Sequence, residues 1–202
     1  MTNDSGLTIN GKQYSREQLL KAGDSADKTL TENTKQALSF CQQWLRGDAH
    51  FTVMTSGSTG KPKSIVVSRA AMQASVEMTA RALQLEAGDR ALVCLPISSI
   101  AGKMMLVRGL QISMPMTLVE PESNPFRSFV KQLAENFDFV AMVPLQLQAV
   151  LAAGQHVRQM LNHCKAVLVG GAPLSDSLLR QAKTIGAPIY QTFGMTETVS
   201  HI

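Results

Sequence analysis

The chain has few of the features that usually announce a specialised class of protein. Cysteine occurs three times, as Cys41, Cys94 and Cys164, far apart and within apolar or helical stretches. The count is odd and no pair has metal-ligand spacing, which excludes a disulfide framework and points to buried thiols in a reducing compartment. The four histidines, His50, His156, His163 and His201, form no i, i+4 ligand pair. Charge of one sign is never concentrated. A net charge of +4 is spread among mixed residues, without the basic runs and interleaved aromatics of a nucleic-acid surface, and suits anionic small molecules. No apolar run approaches the roughly 20 residues that span a bilayer. The first residues, Met1 to Ser5, are polar and lack the apolar core of a secretory signal. Repeats and low-complexity blocks are also missing. A soluble, cytoplasmic protein with no membrane span and no nucleic-acid partner is expected.

What is present is an ordinary globular composition. Of the 202 residues, 45 % are apolar and 17 % charged, enough for a real core in one large domain or two small ones. Residues 1–29 are polar and turn-rich, with a short amphipathic segment at Tyr14–Leu20. Periodicity predicts helices over 31–45, from Ser68 to about Leu85 with Gly88 closing it, over 102–110, over 125–137 behind an Asn124 cap, from Pro144, and over 175–185. Strands are predicted at 51–54, 64–67, 91–95, 116–119, 139–143, 166–169 and 188–191. Such alternation argues for an α/β fold with a mostly parallel sheet flanked by helices, whose ligands gather at the carboxyl ends of the strands.

Three segments fall at strand ends and carry chemistry. Thr55-Ser-Gly-Ser-Thr-Gly-Lys-Pro-Lys63 combines hydroxyls, glycines and lysines, a composition that lets backbone N–H groups approach phosphate oxygens while cations offset their charge. It is not a Walker A loop, because Pro62 follows Gly60-Lys61 and Thr55 stands where the first glycine belongs. A flexible linker is the competing reading. Gly170-Gly-Ala-Pro-Leu174 is a tight turn whose small residues let a flat ring lie against backbone, or an ordinary strand-to-helix turn. Gln191-Thr-Phe-Gly-Met-Thr-Glu-Thr198 offers an aromatic plane, a glycine, a hydroxyl and a carboxylate. A carboxylate beside a phosphate loop would repel nucleotide unless a divalent cation bridges them, so Mg²⁺ is implied.

Together and in this order, the three segments resemble the adenylate-forming superfamily of acyl-CoA synthetases, peptide-synthetase adenylation domains and luciferases, over about residues 51–198. The resemblance implies that Thr55, Ser56, Gly57, Ser58, Thr59, Gly60 and Lys63 handle the phosphates, although Ser64 stands where a glycine is usual. It implies that Gly170, Gly171, Ala172 and Pro173 wall the adenine pocket, and that Thr192, Phe193, Gly194, Met195 and Thr196 contact the nucleotide. Thr196 and Glu197 would be catalytic, with Glu197 as the Mg²⁺ ligand. Such enzymes activate a carboxylic acid with ATP, releasing pyrophosphate, and pass the acyl group to a thiol such as CoA. Leu95-Pro-Ile-Ser-Ser-Ile-Ala-Gly102 lies near the acyl site of that family. Ser98 and Ser99 replace a bulky pair there, and Gly194 completes the acyl pocket. Lys103 follows, with Arg108 one to two turns on. Lys103 either neutralises a second carboxylate on the substrate or is, with Arg108, a solvated helix cation. The segment resembles the compact 2-succinylbenzoate–CoA ligases of menaquinone synthesis.

On this reading residues 1–50 are a short helical and turn segment packed on the core, and residues 51–202 are the nucleotide- and acyl-binding portion of the large N-terminal domain. The family's ribose-binding aspartate and the lysine-bearing C-terminal domain have no counterpart here, so a weakly binding, inactive N-terminal portion is expected. A fatty-acid, aryl or amino-acid substrate, a silent nucleotide-binding module, and a homodimer stay open.

Overall fold

Runs of apolar and β-branched residues become strands, and stretches of 3.6-residue periodicity become helices, in the computed structural model. It describes residues 6–22, 28–55, 63–129, 136–194, 196, 198 and 199. In chain order these form β1 (Leu7–Ile9), β2 (Lys12–Tyr14), α1 (Arg16–Ala22), α2 (Glu32–Arg46), β3 (His50–Thr55), β4 (Lys63–Ser68), α3 (Arg69–Leu83), β5 (Ala91–Val93), α4 (Ile100–Ile112) and β6 (Met116–Leu118). There follow β7 (Phe139–Met142), α5 (Pro144–Ala152), α6 (Gln155–Asn162), β8 (Ala166–Val169), α7 (Asp176–Ala182) and β9 (Ile189–Gln191). Among the described residues no helix is long and apolar enough to cross a membrane.

Seven strands form one sheet in the order β2-β1-β6-β5-β7-β8-β9. Only the β1–β2 pair is antiparallel; the others run parallel. Alternate residues of the central strands enter two separate cores. Ala91, Val93, Phe139, Ala141, Ala166 and Leu168 face one side with α1–α4. Leu92, Val140, Met142, Val167 and Val169 face the other with α5–α7. A sheet covered on both faces needs strands that are apolar throughout, and β5, β7 and β8 are buried at every position.

Two regions depart from the sequence expectation. The polar N-terminal segment supplies two strands, joined by Asn10 and Gly11 with φ of 50° and 78°. Asn-Gly is a hairpin signal legible in the sequence, because both residues tolerate the positive φ that such a turn requires. The strands flanking the glycine-rich loop do not enter the parallel sheet. β3 and β4 pair antiparallel as a separate two-stranded sheet, with Thr55 opposite Lys63 and His50 opposite Ser68. Only seven residues lie between them in sequence, fewer than a parallel crossover needs, so the chain returns antiparallel. Phe51, Val53 and Val67 anchor this hairpin in the first core. The Phe51 ring lies 5.2 Å from Phe40 and 5.4 Å from Trp44. Arg69 stacks 4.0 Å over Trp44 and donates to the carbonyls of Trp44 and Asp48 at the end of α2.

Smaller differences have local causes. Ser68, Thr31 and Ser175 cap their helices as expected of hydroxyl N-caps. The helix after Ser68 ends at Leu83 on a left-handed Gln84, and Gly88 serves the next turn. Of the helix expected over 125–137, Arg127–Phe129 is a 3₁₀ turn, while 130–135 lie outside the described residues.

At the amino end of the sheet, Lys165 binds Glu86 (2.8 Å) and Asp89 (2.6 Å) and so ties the start of β8 to the turn before β5. Its hydrogen bond and charge hold the Glu86 carboxyl below the ordinary 4.5. An acid depressed on folding stabilises above its unfolded value, and that contribution disappears as pH falls through the folded value. Lys165→Met is therefore expected to lower the denaturation midpoint at pH 7, with the gap to the parent narrowing as pH drops below about 4.5. Denaturant titrations between these limits check it; a gap independent of pH would assign the effect to packing.

Candidate active site

Parallel order lays the carboxyl ends of β5, β7, β8 and β9 side by side, and a cavity of about 720 Å³ opens there. Leu95, Pro96, Ser98 and Ser99 form one wall, and Ala141 to Val143 another. Gly170, Gly171, Thr192, Gly194, Thr196 and Val199 close the side toward β9, and Met54 of the hairpin reaches the mouth. Of the residues predicted from sequence, Ser98, Ser99, Gly170, Gly171, Thr192, Gly194 and Thr196 thus meet around one space. Phe193 is 70 % exposed beside it, and Ala172 and Pro173 lie in the exposed turn that follows. Thr55 and Lys63 pair at the base of the hairpin loop. Ser56 to Gly60, Met195 and Glu197 lie outside the described residues.

The two glycines are required for different reasons, close approach at one and backbone conformation at the other. A Cβ on Gly170 would meet Thr192 Oγ1 at 2.5 Å, and Gly171 has φ +86°. Both glycines line the cavity with main chain alone, and such a wall accepts a flat aromatic ring, so the residues present fit an adenine. The Gly170 N–H donates to Met142 O (3.1 Å) and the Thr192 N–H to Val169 O (2.8 Å), stitching the turns together.

One buried side chain, absent from the sequence-based candidates, joins the ends of β5 and β7 to the segment that follows β6. Gln146 in α5 accepts from the Val143 N–H (3.1 Å) and donates to the carbonyls of Cys94 (3.1 Å) and Glu122 (3.0 Å). Its sequence signal is its place as the third residue of α5, three after the Val143 cap, where a Gln reaches back to the cap.

The helix that follows the acyl-site loop separates its two cations. Ser99 caps α4, its Oγ accepting from the Gly102 N–H (3.1 Å) and donating to Pro96 O (2.7 Å). Lys103 turns away from the large cavity toward a groove of about 580 Å³ between α2 and β3. There it donates to Ile97 O (2.6 Å) above the Phe40 ring, and burial lowers its pKa. Arg108 instead lines the cavity, 3 % exposed. Burial brings its pKa down to about 10, which leaves the guanidinium charged at neutral pH. Met104 and Arg108, four apart, share the helix face that looks into the cavity.

Comparison with known proteins agrees with this geometry. The family model for AMP-binding enzymes matches residues 6–202. The chain belongs to that family. Among relatives, the 2-succinylbenzoate–CoA ligases of Bacillus cytotoxicus and Listeria monocytogenes are each 30 % identical, over 83 % and 86 % of this chain. The chain spans about a third of the length of these relatives, 34 % and 37 %. A solved AMP-forming acyl-CoA synthetase/AMP-acid ligase II-like protein from Dyadobacter fermentans is 44 % identical with a TM-score of 0.78, over 91 % of this chain and 50 % of its own. The o-succinylbenzoate CoA synthetase (MenE) of Bacillus subtilis, solved with the acyl-adenylate intermediate OSB-AMP, is 26 % identical with a TM-score of 0.62, over 75 % of this chain and 30 % of its own. The mostly parallel sheet flanked by helices is thus the fold shared with these AMP-binding enzymes.

Because Gln146 satisfies three backbone groups at once, Gln146→Ala is expected to cost about 2–4 kcal/mol in denaturant unfolding. A loss within about 0.5 kcal/mol would show that water replaces the amide.

Proposed function

We propose that this AMP-binding family member is the nucleotide- and acyl-binding part of an acid–thiol ligase that uses ATP, Mg²⁺ and CoA. The observation that carries the reading is the single cavity onto which the acyl-site loop, the Gly170–Gly171 turn and the Thr192–Thr196 segment all open. A carboxylate oxygen of the acid attacks the α-phosphorus, the bond to the bridging oxygen breaks, and pyrophosphate leaves. A thiol sulfur then attacks the acyl carbon, AMP departs, and the thiol proton passes to solvent. Among this chain's residues, Gly170 and Gly171 receive the adenine, the Thr55–Lys63 loop the phosphates, and Thr196 the α-phosphate region. Mg²⁺ at Glu197 would spread the phosphate charge so that a second anion can approach.

The acid we infer is 2-succinylbenzoate. The relatives named for that reaction support it, and so does the cavity chemistry: mostly apolar walls with a buried guanidinium, Arg108, suit an aromatic acid bearing a second carboxylate. Arg108 takes the role that the sequence reading considered for Lys103. Among the described residues the cavity wall carries no carboxylate to meet a substrate amine, which disfavours an amino-acid substrate.

A non-hydrolysable 2-succinylbenzoyl-sulfamoyl adenosine should bind this chain and raise its melting temperature. At 100 times Kd the added stability is about 2.7 kcal/mol. Arg108→Gln should weaken that ligand roughly tenfold or more while leaving the benzoyl analogue, which lacks the second carboxylate, within about twofold. Absence of binding by any acyl adenylate sinks the reading; equal losses for both ligands remove Arg108 from substrate recognition.

A further inference from the structure

The loop that walls the acyl side of the cavity is held through one buried peptide. Ile97 is fully buried, and both of its backbone polar groups are met by side chains from different helices. Its N–H donates to Asn33 Oδ1 of α2 (2.9 Å), and its carbonyl accepts from Lys103 Nζ of α4 (2.6 Å). On either side of it, Leu95, Pro96, Ser98 and Ser99 line the cavity. Lysine normally extends its ammonium into water and buries only its stem. Here the ammonium is half-buried, 5.5 Å from the Phe40 ring, and it makes a short charge-assisted bond to a main-chain carbonyl. Phe40 is itself fixed against Phe51 at 5.2 Å. A cation so placed belongs to the wall and lies on the far side of it from the cavity.

We propose that Lys103 is a positioning residue for the acyl group: with Asn33 it fixes the Ile97 peptide, and through it the wall from Leu95 to Ser99, without touching the substrate. This rests on reading the cavity as an acyl-adenylate site. The lysine then acts on every acyl group that packs against the wall, whether or not the acid carries a second charge. It has no direct part in holding the nucleotide, whose turns are stitched through β7, β8 and β9. Wall position matters because displacements near 1 Å at a binding surface are enough to lower affinity and rate.

Calorimetric titration of the full chain with AMP, the benzoyl-sulfamoyl adenosine and the 2-succinylbenzoyl analogue separates the roles. Lys103→Met keeps the aliphatic stem and removes the donor. It should weaken both acyl ligands by about tenfold with their ratio unchanged, and leave AMP within about twofold. Asn33→Ala should reproduce the pattern. The double variant should lose less than the product of the two single losses, because both side chains hold one peptide. A loss confined to the dicarboxylic ligand would make Lys103 a direct substrate contact and overturn the proposal. So would unchanged acyl affinity, or an equal loss for AMP. Parent protein that binds AMP but neither acyl ligand would instead overturn the acyl-site reading on which the proposal stands.

Discussion

Four strands running the same way and ending side by side are the constraint on which the rest of this structure depends. Parallel pairing of β5, β7, β8 and β9 carries segments from residues 95, 143, 170 and 192 to one edge of the sheet. Their main chains would otherwise leave polar groups facing an apolar edge, which is costly. Gln146 answers part of that need by joining the ends of β5 and β7 to the segment after β6, and the Gly170 and Thr192 N–H groups answer more of it. The cavity is the space left where these stitched turns cannot close further.

The two cations of α4 illustrate how a small angular difference becomes a chemical one. Lys103 and Arg108 are five residues apart, about 140° around the helix at 3.6 residues per turn. One therefore looks at the back of the acyl-site wall and the other into the cavity. Arg108 remains charged through burial because its pKa, although lowered, stays near 10. Lys103 meets the desolvation of its ammonium with a carbonyl, which makes it part of the wall.

Much of the architecture was legible in the sequence. Apolar runs such as Ala91–Val93 and Ala166–Val169 read as central strands because burial on both faces leaves no place for polar side chains. Caps at Thr31, Ser68 and Ser175 were readable because a hydroxyl before a periodic segment satisfies an orphan N–H locally. Local signals also mark the glycine-rich segments. Other features were not readable in this way. β1 is only three residues long, and its partner β6 lies more than a hundred residues away. The separation of the β3–β4 hairpin from the main sheet depends on how Phe51 and Val67 pack against α2 and α3, which no local pattern reports. Gln146 looked like one polar residue of a helix, since only its bond to Val143 is local and its partners Cys94 and Glu122 lie 52 and 24 residues away.

The sequence by itself determined most of the element types and the chemistry available: a phosphate-type loop, bare glycine turns, an aromatic beside a hydroxyl, and two cations after the acyl-site loop. Those follow from residue properties and near-neighbour spacing, which act within a few residues. Tertiary structure decided which of these groups share a space. Sheet order brought the segments at 95–99, 170–171 and 192–196 around one cavity, and helix rotation put Arg108 inside it and Lys103 behind it. The physical reason is that burial, and with it the partner each charge must find, is set by elements far apart in the chain.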